Sequence, residues 1–385
     1  MDKKIILFGA GDEGKKAISF FGNDLIECFI DNNKNKNGTM YCGKPVFNFE
    51  ELTKIAHNYR IIISSRIYSQ EIAKQLNSAG IYNYSHFKKS RNLFDTNDLI
   101  INRYKTNCER TEIEWIEVNE STRAWIDANI FVEKVADNIP LFGFVELETI
   151  NRCNGSCSFC PANKNVDIRK EMFMSFDLFE NIINQLSDLN YTGYFALSSN
   201  NEPFLDERII DFAKYANEKL TQAHICMYTN GTLLSVKKFK EIISYLNELI
   251  IDNYNNNLSL IEPCKKIKEY IENNNPELSQ KVTICIRKQN EILNSRGGLA
   301  VNRKNIQVIN KAKCSVPYHK MTIRPDGKVS LCCSDTYGKF TLGDLKNESL
   351  VDVWYGNEYT KIRTALQKGR GAIDYCKNCD HYGFH

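Results

Sequence analysis

The sequence predicts an α/β fold in three parts, two domains in which strands alternate with helices and a small cysteine-rich one after them. Three observations carry this. Residues 1–90 and 141–310 read as short β-branched runs separated by helical spacing. A glycine turn, Gly9-Ala10-Gly11-Asp12-Glu13-Gly14, joins the first run to the first helix. Eight of the 14 cysteines fall in two sets, Cys153, Cys157 and Cys160, then Cys314, Cys332, Cys333, Cys376 and Cys379.

At 385 residues the chain is long enough for two or three domains with their own cores. Its 50 basic and 47 acidic residues leave a formal charge of +3, a balance that asks for neither a nucleic-acid nor a membrane partner. No apolar run approaches the roughly 20 residues of a membrane span. The start, Met1 to Lys4, precedes an apolar run too short for a signal peptide, so a cytoplasmic location is expected. Clustered cysteines in a large chain without a signal point to thiols in a reducing compartment rather than a disulfide scaffold. With only six scattered histidines, metal chemistry here is thiolate chemistry.

In residues 1–90, the strand Lys4–Phe8 runs into the glycine turn and then a helical pattern over Lys15–Phe21. A second strand, Ile26–Ile30, ends at Asp31. Gly9, Gly11 and Gly14 in a strand–turn–helix setting, with an acidic residue after the second strand, form a dinucleotide fingerprint. Such glycines let a phosphate approach the backbone at a helix N-terminus, and the carboxylate of Asp31 can hold a ribose hydroxyl. Strands at Val46, Arg60–Ser64 and Ile81–Tyr84 and a helix over Ser69–Ala79 continue the alternation. This domain resembles the Rossmann-like N-terminal domain of sugar O-acyltransferases of bacterial glycan synthesis. The resemblance implies a site for the nucleotide part of a nucleotide sugar; a NAD-type cofactor and a packing or dimerisation role stay open. Residues 91–140, charged and with Trp115 and Trp125, read as a helical connector with helical spacing over Thr122–Val135.

The domain over 141–310 begins with an apolar run at Leu141–Val145 that feeds Cys153-Asn154-Gly155-Ser156-Cys157-Ser158-Phe159-Cys160. Three thiolates so spaced fit a short loop around one iron–sulfur cube, with one iron left for a small molecule to chelate. With Phe159 before the last thiol, the motif resembles the signature of the radical S-adenosylmethionine (SAM) superfamily. That resemblance implies reductive cleavage of SAM to methionine and a 5′-deoxyadenosyl radical that takes hydrogen from the substrate. It also implies SAM contacts at Phe159 and at the ends of the following strands. Strand two, Tyr194–Leu197, ends in Ser198-Ser199-Asn200-Asn201-Glu202-Pro203, where the family has two glycines and a glutamate; Glu202 would accept the SAM amino group. Strand three, His224–Tyr228, ends in Thr229-Asn230-Gly231-Thr232, like the family's ribose-proximal turn. Strand four, Glu248–Ile251, ends in Asp252 and Asn253, suited to ribose hydroxyls, and strand five, Lys281–Ile286, ends at Arg287, suited to the SAM carboxylate. All these positions are strand C-termini, where parallel β/α barrels gather their sites, and the expected fold is a partial (β/α)6 barrel open on one side.

Residues 311–385 form a small domain. Arg324-Pro325-Asp326-Gly327 between Met321–Ile323 and Lys328–Leu331 makes a hairpin, and a helix over Asn357–Leu366 returns the chain toward Cys376 and Cys379. This resembles the auxiliary-cluster domain of the SPASM and twitch group in its one-cluster form. The resemblance implies Cys314, Cys332, Cys376 and Cys379 as ligands of a second [4Fe-4S] cluster, with Cys333 facing the other way as packing. A four-cysteine zinc site is the competing reading.

A fully ligated second cluster suits electron transfer. The resemblance therefore implies dehydrogenation or epimerisation of a sugar-type, possibly nucleotide-linked, substrate, with a flavodoxin- or ferredoxin-type electron donor. A peptide-modifying maturase is the alternative. Epimerisation requires a hydrogen donor, for which Cys226 and Cys285 are candidates, each with packing as the simpler role. No catalytic residue is assigned.

Overall fold

The computed structural model describes residues 4–21, 23–65, 68–81, 84–87, 99–102, 131–303 and 313–380. They fall in two compact units, Met1–Thr96 and Asn97–His385.

The first unit is one six-stranded sheet. Its strands are β1 (Ile5–Phe8), β2 (Ile26–Ile30), β3 (Met40–Tyr41), β4 (Lys44–Phe47), β5 (Arg60–Ile63) and β6 (Tyr84–His86), in the order β3-β4-β2-β1-β5-β6. All pairs are parallel except β3 with β4. The last strand lies later than the expected Ile81–Tyr84. β1 sits at the switch point of the strand order, which is where such sheets open a crevice at their carboxyl ends. Each glycine of the turn after β1 has its own steric reason. Gly9 has φ +124°, and a Cβ there would lie 2.8 Å from the Ser64 carbonyl oxygen. A Cβ on Gly14 would strike the Gly9 carbonyl oxygen and approach the Phe29 ring to 2.7 Å, so this glycine lets the helix Asp12–Phe21 lie against the sheet. A Cβ on Gly11 would meet nothing within 4 Å.

The second unit holds a nine-stranded sheet. Its strands are β7 (Ile100–Asn102), β8 (Phe144–Leu147), β9 (Tyr194–Ala196), β10 (His224–Thr229), β11 (Glu248–Tyr254), β12 (Val282–Arg287), β13 (Lys320–Ile323), β14 (Lys328–Ser330) and β15 (Thr341–Asp344). The order is β15-β14-β13-β8-β9-β10-β11-β12-β7. From β13 to β7 every pair is parallel, and β14 and β15 add antiparallel strands. The parallel run therefore has seven strands rather than the expected six. One flanking strand, β7, comes from the stretch read as a helical connector; of the rest of that stretch, residues 131–135 are helical, while Trp115 and Trp125 lie outside the described residues. The other, β13, comes from the small C-terminal domain. The central and C-terminal domains thus share one sheet, because the edges of β8 and β12 leave backbone groups that the apolar runs at Ile100 and Met321 can satisfy.

Strand alternation sorts the side chains. Val145, Leu147, Ile225, Met227, Leu249 and Ile251 point to the outer core, shared with the helices Phe176–Asp188, Ile209–Lys219, Val236–Ile242 and Glu262–Asn274. The first of these helices shows why the sequence folds this way. Ser175 caps it by accepting the Leu178 N–H at 3.3 Å, and Leu178, Phe179, Ile182, Ile183 and Leu186 form its buried stripe. Each such side chain contributes on the order of 1.5–3 kcal/mol by burial. The alternate positions, Glu146, Cys226, Asp252 and Arg287 among them, face the inside of the curved sheet.

Candidate functional site

The three-cysteine loop follows β8 directly. Asn151 anchors it by accepting the Met172 N–H at 2.9 Å and donating to the Lys170 carbonyl at 2.8 Å. A Cβ on Gly155 would sit 3.2 Å from Cys153 Sγ and 3.9 Å from Cys157 Sγ, so the glycine keeps clear the space between two thiols. Cys153, Cys157 and Cys160 interact electrostatically with one another, and burial pushes the thiols of Cys153 and Cys157 up to about 12. Such thiols stay protonated until a metal group binds the sulfurs and their protons pass to water.

Glu202 ties three strand ends together. Its side chain is 1% exposed; Oε1 accepts the Thr229 hydroxyl at 2.7 Å and the Phe204 N–H at 3.1 Å, and Oε2 accepts the Asn230 N–H at 2.7 Å. Its own N–H donates to the Arg152 carbonyl at 2.8 Å, just before Cys153. Burial pushes its carboxyl up against the pull of these donors. Asn230 in turn donates to Asn154 Oδ1 at 2.8 Å and faces Cys153 Sγ at 3.9 Å. The structure thus brings Glu202, Thr229 and Asn230 against the three-thiol loop.

On the far side, β11 runs on through Asp252 and Asn253, past the expected end at Ile251. Asn253 is fully buried and spent on Ser259 and Ile261. Arg287 is neither solvated nor free. It lies between Asp252 at 3.3 Å and Glu291 at 2.7 Å, with its guanidinium 5.8 Å from the Phe159 ring centroid and 5.4 Å from that of Tyr254. Phe159, Asp252 and Arg287 therefore form one packed group beside Cys157.

The second cysteine set closes on itself. Cys314, Cys332, Cys376 and Cys379 line one cavity, together with Arg370 and Tyr375. The hairpin turn brings this about: Gly327, at φ +80°, donates to the Arg324 carbonyl at 2.9 Å, and β14 delivers Cys332. Burial and the mutual repulsion of the set raise the Cys332 and Cys376 thiols far above their ordinary range. Four thiols around one cavity offer sulfur ligands for a tetrahedral zinc or for an iron–sulfur group. A sulfur-only donor set around such a space fits an iron–sulfur group.

Between the two sets lies a group that sequence reasoning missed. Glu146, on the inner face of β8, accepts Lys320 Nζ at 2.7 Å and the Ser199 hydroxyl at 3.1 Å. Cys333 is buried, and its thiol interacts electrostatically with Lys320, Glu146 and Arg296. Arg296 also faces Cys160 and Tyr254, and its guanidinium donates to the Cys333 carbonyl at 3.5 Å. Its backbone has φ +49°, in the left-handed region that a side chain adopts at a cost. Ser295 holds that turn, donating to the Asn378 carbonyl at 2.6 Å, close to Cys379. Nearby, a cavity of about 290 Å³ is lined by Tyr337, Asp335, Tyr375 and Leu299, and the Tyr337 hydroxyl donates to the Pro161 carbonyl beside Cys160. A lone glutamate inside the run Phe144–Leu147 was the signal available in the sequence. Cys226, by contrast, packs with Phe144 and Ala196 as core.

In the first unit, Asp31 accepts the Ala10 N–H at 2.9 Å and the Asn33 N–H at 2.9 Å, and pairs with Lys36 at 3.1 Å. It braces the glycine turn.

A parallel α/β sheet whose strand ends carry a three-thiol loop beside a four-thiol cavity defines a protein built for iron–sulfur chemistry. The family comparisons agree. Residues 147–275 match the Radical SAM superfamily, and residues 314–380 match SPASM, an iron–sulfur cluster-binding domain. The chain is a radical SAM enzyme with a SPASM domain, and SAM and iron–sulfur clusters are its cofactors. Residues 1–86 match a family described as C2185-like, N-terminal. The S-adenosyl-L-methionine-dependent 2-deoxy-scyllo-inosamine dehydrogenase of Niallia circulans is 27% identical over 246 residues, 63% of this chain and 94% of that protein. The crystal structure of BtrN in complex with AdoMet and 2-DOIA shares the fold, with a TM-score of 0.54 and 24% identity over 63% of this chain and 94% of that one. Among the described residues no helix is long and apolar enough to cross a membrane.

Proposed function

We propose that this chain dehydrogenates a secondary alcohol of a sugar-type substrate. Cys153, Cys157 and Cys160 hold the SAM-binding [4Fe-4S] cluster, and Cys314, Cys332, Cys376 and Cys379 hold the second. The bound cluster and SAM supply a hydrogen-abstracting 5′-deoxyadenosyl radical. Glu202 and Asn230 act as a brace for that loop, and Phe159, Asp252 and Arg287 form the adenosine-side wall. The substrate sits between the two cysteine sets. There Arg296 would stabilise negative charge on its oxygen as the hydroxyl proton passes to water, and the second cluster would supply the acceptor for the electron the substrate gives up.

The observation that carries this reading is the convergence of Glu146, Lys320, Arg296 and Cys333 between the two sets of thiols. Its chemistry is that of the Niallia circulans relative, whose name gives a SAM-dependent dehydrogenase acting on 2-deoxy-scyllo-inosamine. Reduced, reconstituted protein with SAM and a panel of cyclitols and nucleotide sugars should form 5′-deoxyadenosine and a carbonyl product in equal amounts. Absence of SAM cleavage with a competent reductant would sink the reading.

Cys333 favours a second reading, epimerisation, because its buried thiol interacts with Lys320, Glu146 and Arg296 and could return hydrogen to a substrate carbon. For the first unit we infer nucleotide binding at Gly9, Gly11 and Gly14. The open space at Gly11 supports it, and Asp31 then serves through the turn it braces. A flavodoxin- or ferredoxin-type donor supplies the electrons, and the cytoplasm suits such chemistry.

A further inference from the structure

Asn200 is one of the two asparagines that stand before Glu202 where glycines were expected, and it is 5% exposed. Its side chain reaches into the C-terminal domain. Nδ2 donates to the Cys333 carbonyl at 2.9 Å, and Oδ1 accepts the Thr336 hydroxyl at 3.0 Å. Its backbone holds the strand-end side: the N–H donates to Glu148 Oε1 at 2.7 Å, and the carbonyl accepts Arg169 Nη2 at 3.2 Å. Arg169 returns to the same C-terminal segment, its Nη1 donating to the Thr336 carbonyl at 3.3 Å. One buried amide therefore ties the loop that carries Glu202 to the segment that follows Cys332 of the four-thiol set. A glycine could make neither side-chain bond. Buried polar groups that lose their partners are costly, so a fully paired network of this kind holds one spacing.

We propose that Asn200 is a positioning residue that sets the distance between the two cysteine sets, and with it the coupling of hydrogen abstraction to electron loss. The inference rests on the proposed dehydrogenation. The carbon radical left by hydrogen abstraction becomes a carbonyl when it gives one electron to the group held by Cys314, Cys332, Cys376 and Cys379 and its hydroxyl proton to water. Where that acceptor is displaced, the radical instead takes an electron from the assay's reductant and a proton from water, and returns as substrate. SAM is then cleaved without a carbonyl product.

The test uses the full chain, reconstituted anaerobically, as wild type, Asn200→Ala and Thr336→Val. Three quantities are compared: iron per chain, the magnetic coupling between the two reduced clusters by pulsed EPR, and the ratio of 5′-deoxyadenosine to carbonyl product with each member of the cyclitol and nucleotide-sugar panel. At equal iron content, Asn200→Ala should weaken the magnetic coupling, which reads separation directly, and raise the ratio from parity to about tenfold. Thr336→Val removes one of the two side-chain bonds and should move both readouts the same way by less. Wild-type magnetic coupling in Asn200→Ala at full iron content overturns the proposal. A weakened coupling with the ratio still at parity overturns it too, because separation would then not govern electron loss. Should Asn200→Ala not hold iron, Thr336→Val decides by the same two readouts. A wild type that gives no carbonyl with any member of the panel refutes the dehydrogenase reading itself, and the proposal falls with it.

Discussion

The carboxylate of Glu202 accepts the backbone N–H of Asn230 at 2.7 Å, and so locks the loop after β9 to the loop after β10. Through the Glu202 N–H on Arg152 and the Asn230 side chain on Asn154, both loops grip the three-cysteine segment. The glutamate's work in this fold is to hold the strand ends in register. Glu202→Ala should therefore lower iron retention by the first cysteine set, not only SAM affinity. Iron per chain and SAM binding by calorimetry separate the two, and a variant with full iron and weak SAM binding would refute the bracing role.

Iron bookkeeping tests the cysteine assignment. Reconstituted protein should carry about eight irons per chain, and the Cys153, Cys157, Cys160 triple alanine variant about four. Cys333→Ala should leave the count unchanged, since Cys333 is not among the residues that line the cavity of the four thiols. A loss of iron in Cys333→Ala would move that residue into the ligand set.

The glycine turn offers a contrast. Gly14→Ala forces a methyl against the Gly9 carbonyl oxygen and the Phe29 ring, and should destabilise the first unit by ~1–3 kcal/mol. Gly11→Ala meets nothing within 4 Å and should leave thermal stability unchanged while abolishing any stabilisation by added nucleotide. Equal melting behaviour of the two variants would count against this geometry.

Glu148 predicts a pH dependence. Burial pushes its carboxyl up to about 7, against the pull of Arg169 and the Asn200 N–H. The native state then binds its proton more tightly than the unfolded chain. Its stabilising contribution is complete below about pH 4.5 and declines as pH rises to about 7. Glu148→Gln should gain on the wild type over that window, by on the order of 3 kcal/mol at about 1.4 kcal/mol per unit. Urea midpoints at both ends check this, and a constant difference between the proteins would refute it.

Running the reaction in heavy water distinguishes the two outcomes for the substrate. Dehydrogenation gives a carbonyl without solvent deuterium at the reacting carbon; epimerisation puts deuterium there, and Cys333→Ser should then abolish it.

Much was legible in the chain itself because it is local. The strands from Phe144 to Arg287 announce themselves as β-branched runs, the glycine turn by its spacing, and the thiol sets by theirs, since a loop around a metal group fixes the separation of its ligands. The sequence alone therefore determined the α/β class, the sulfur chemistry and most strand ends. Only the tertiary structure decided what those ends do. It showed Arg287 spent between Asp252 and Glu291, Asn253 spent on its own loop, and β13 lying beside β8. It also placed Glu146, Lys320, Arg296 and Cys333 together. These facts depend on pairing between segments far apart in the chain, and charge pairing and sheet register are settled in space rather than by the residues on either side.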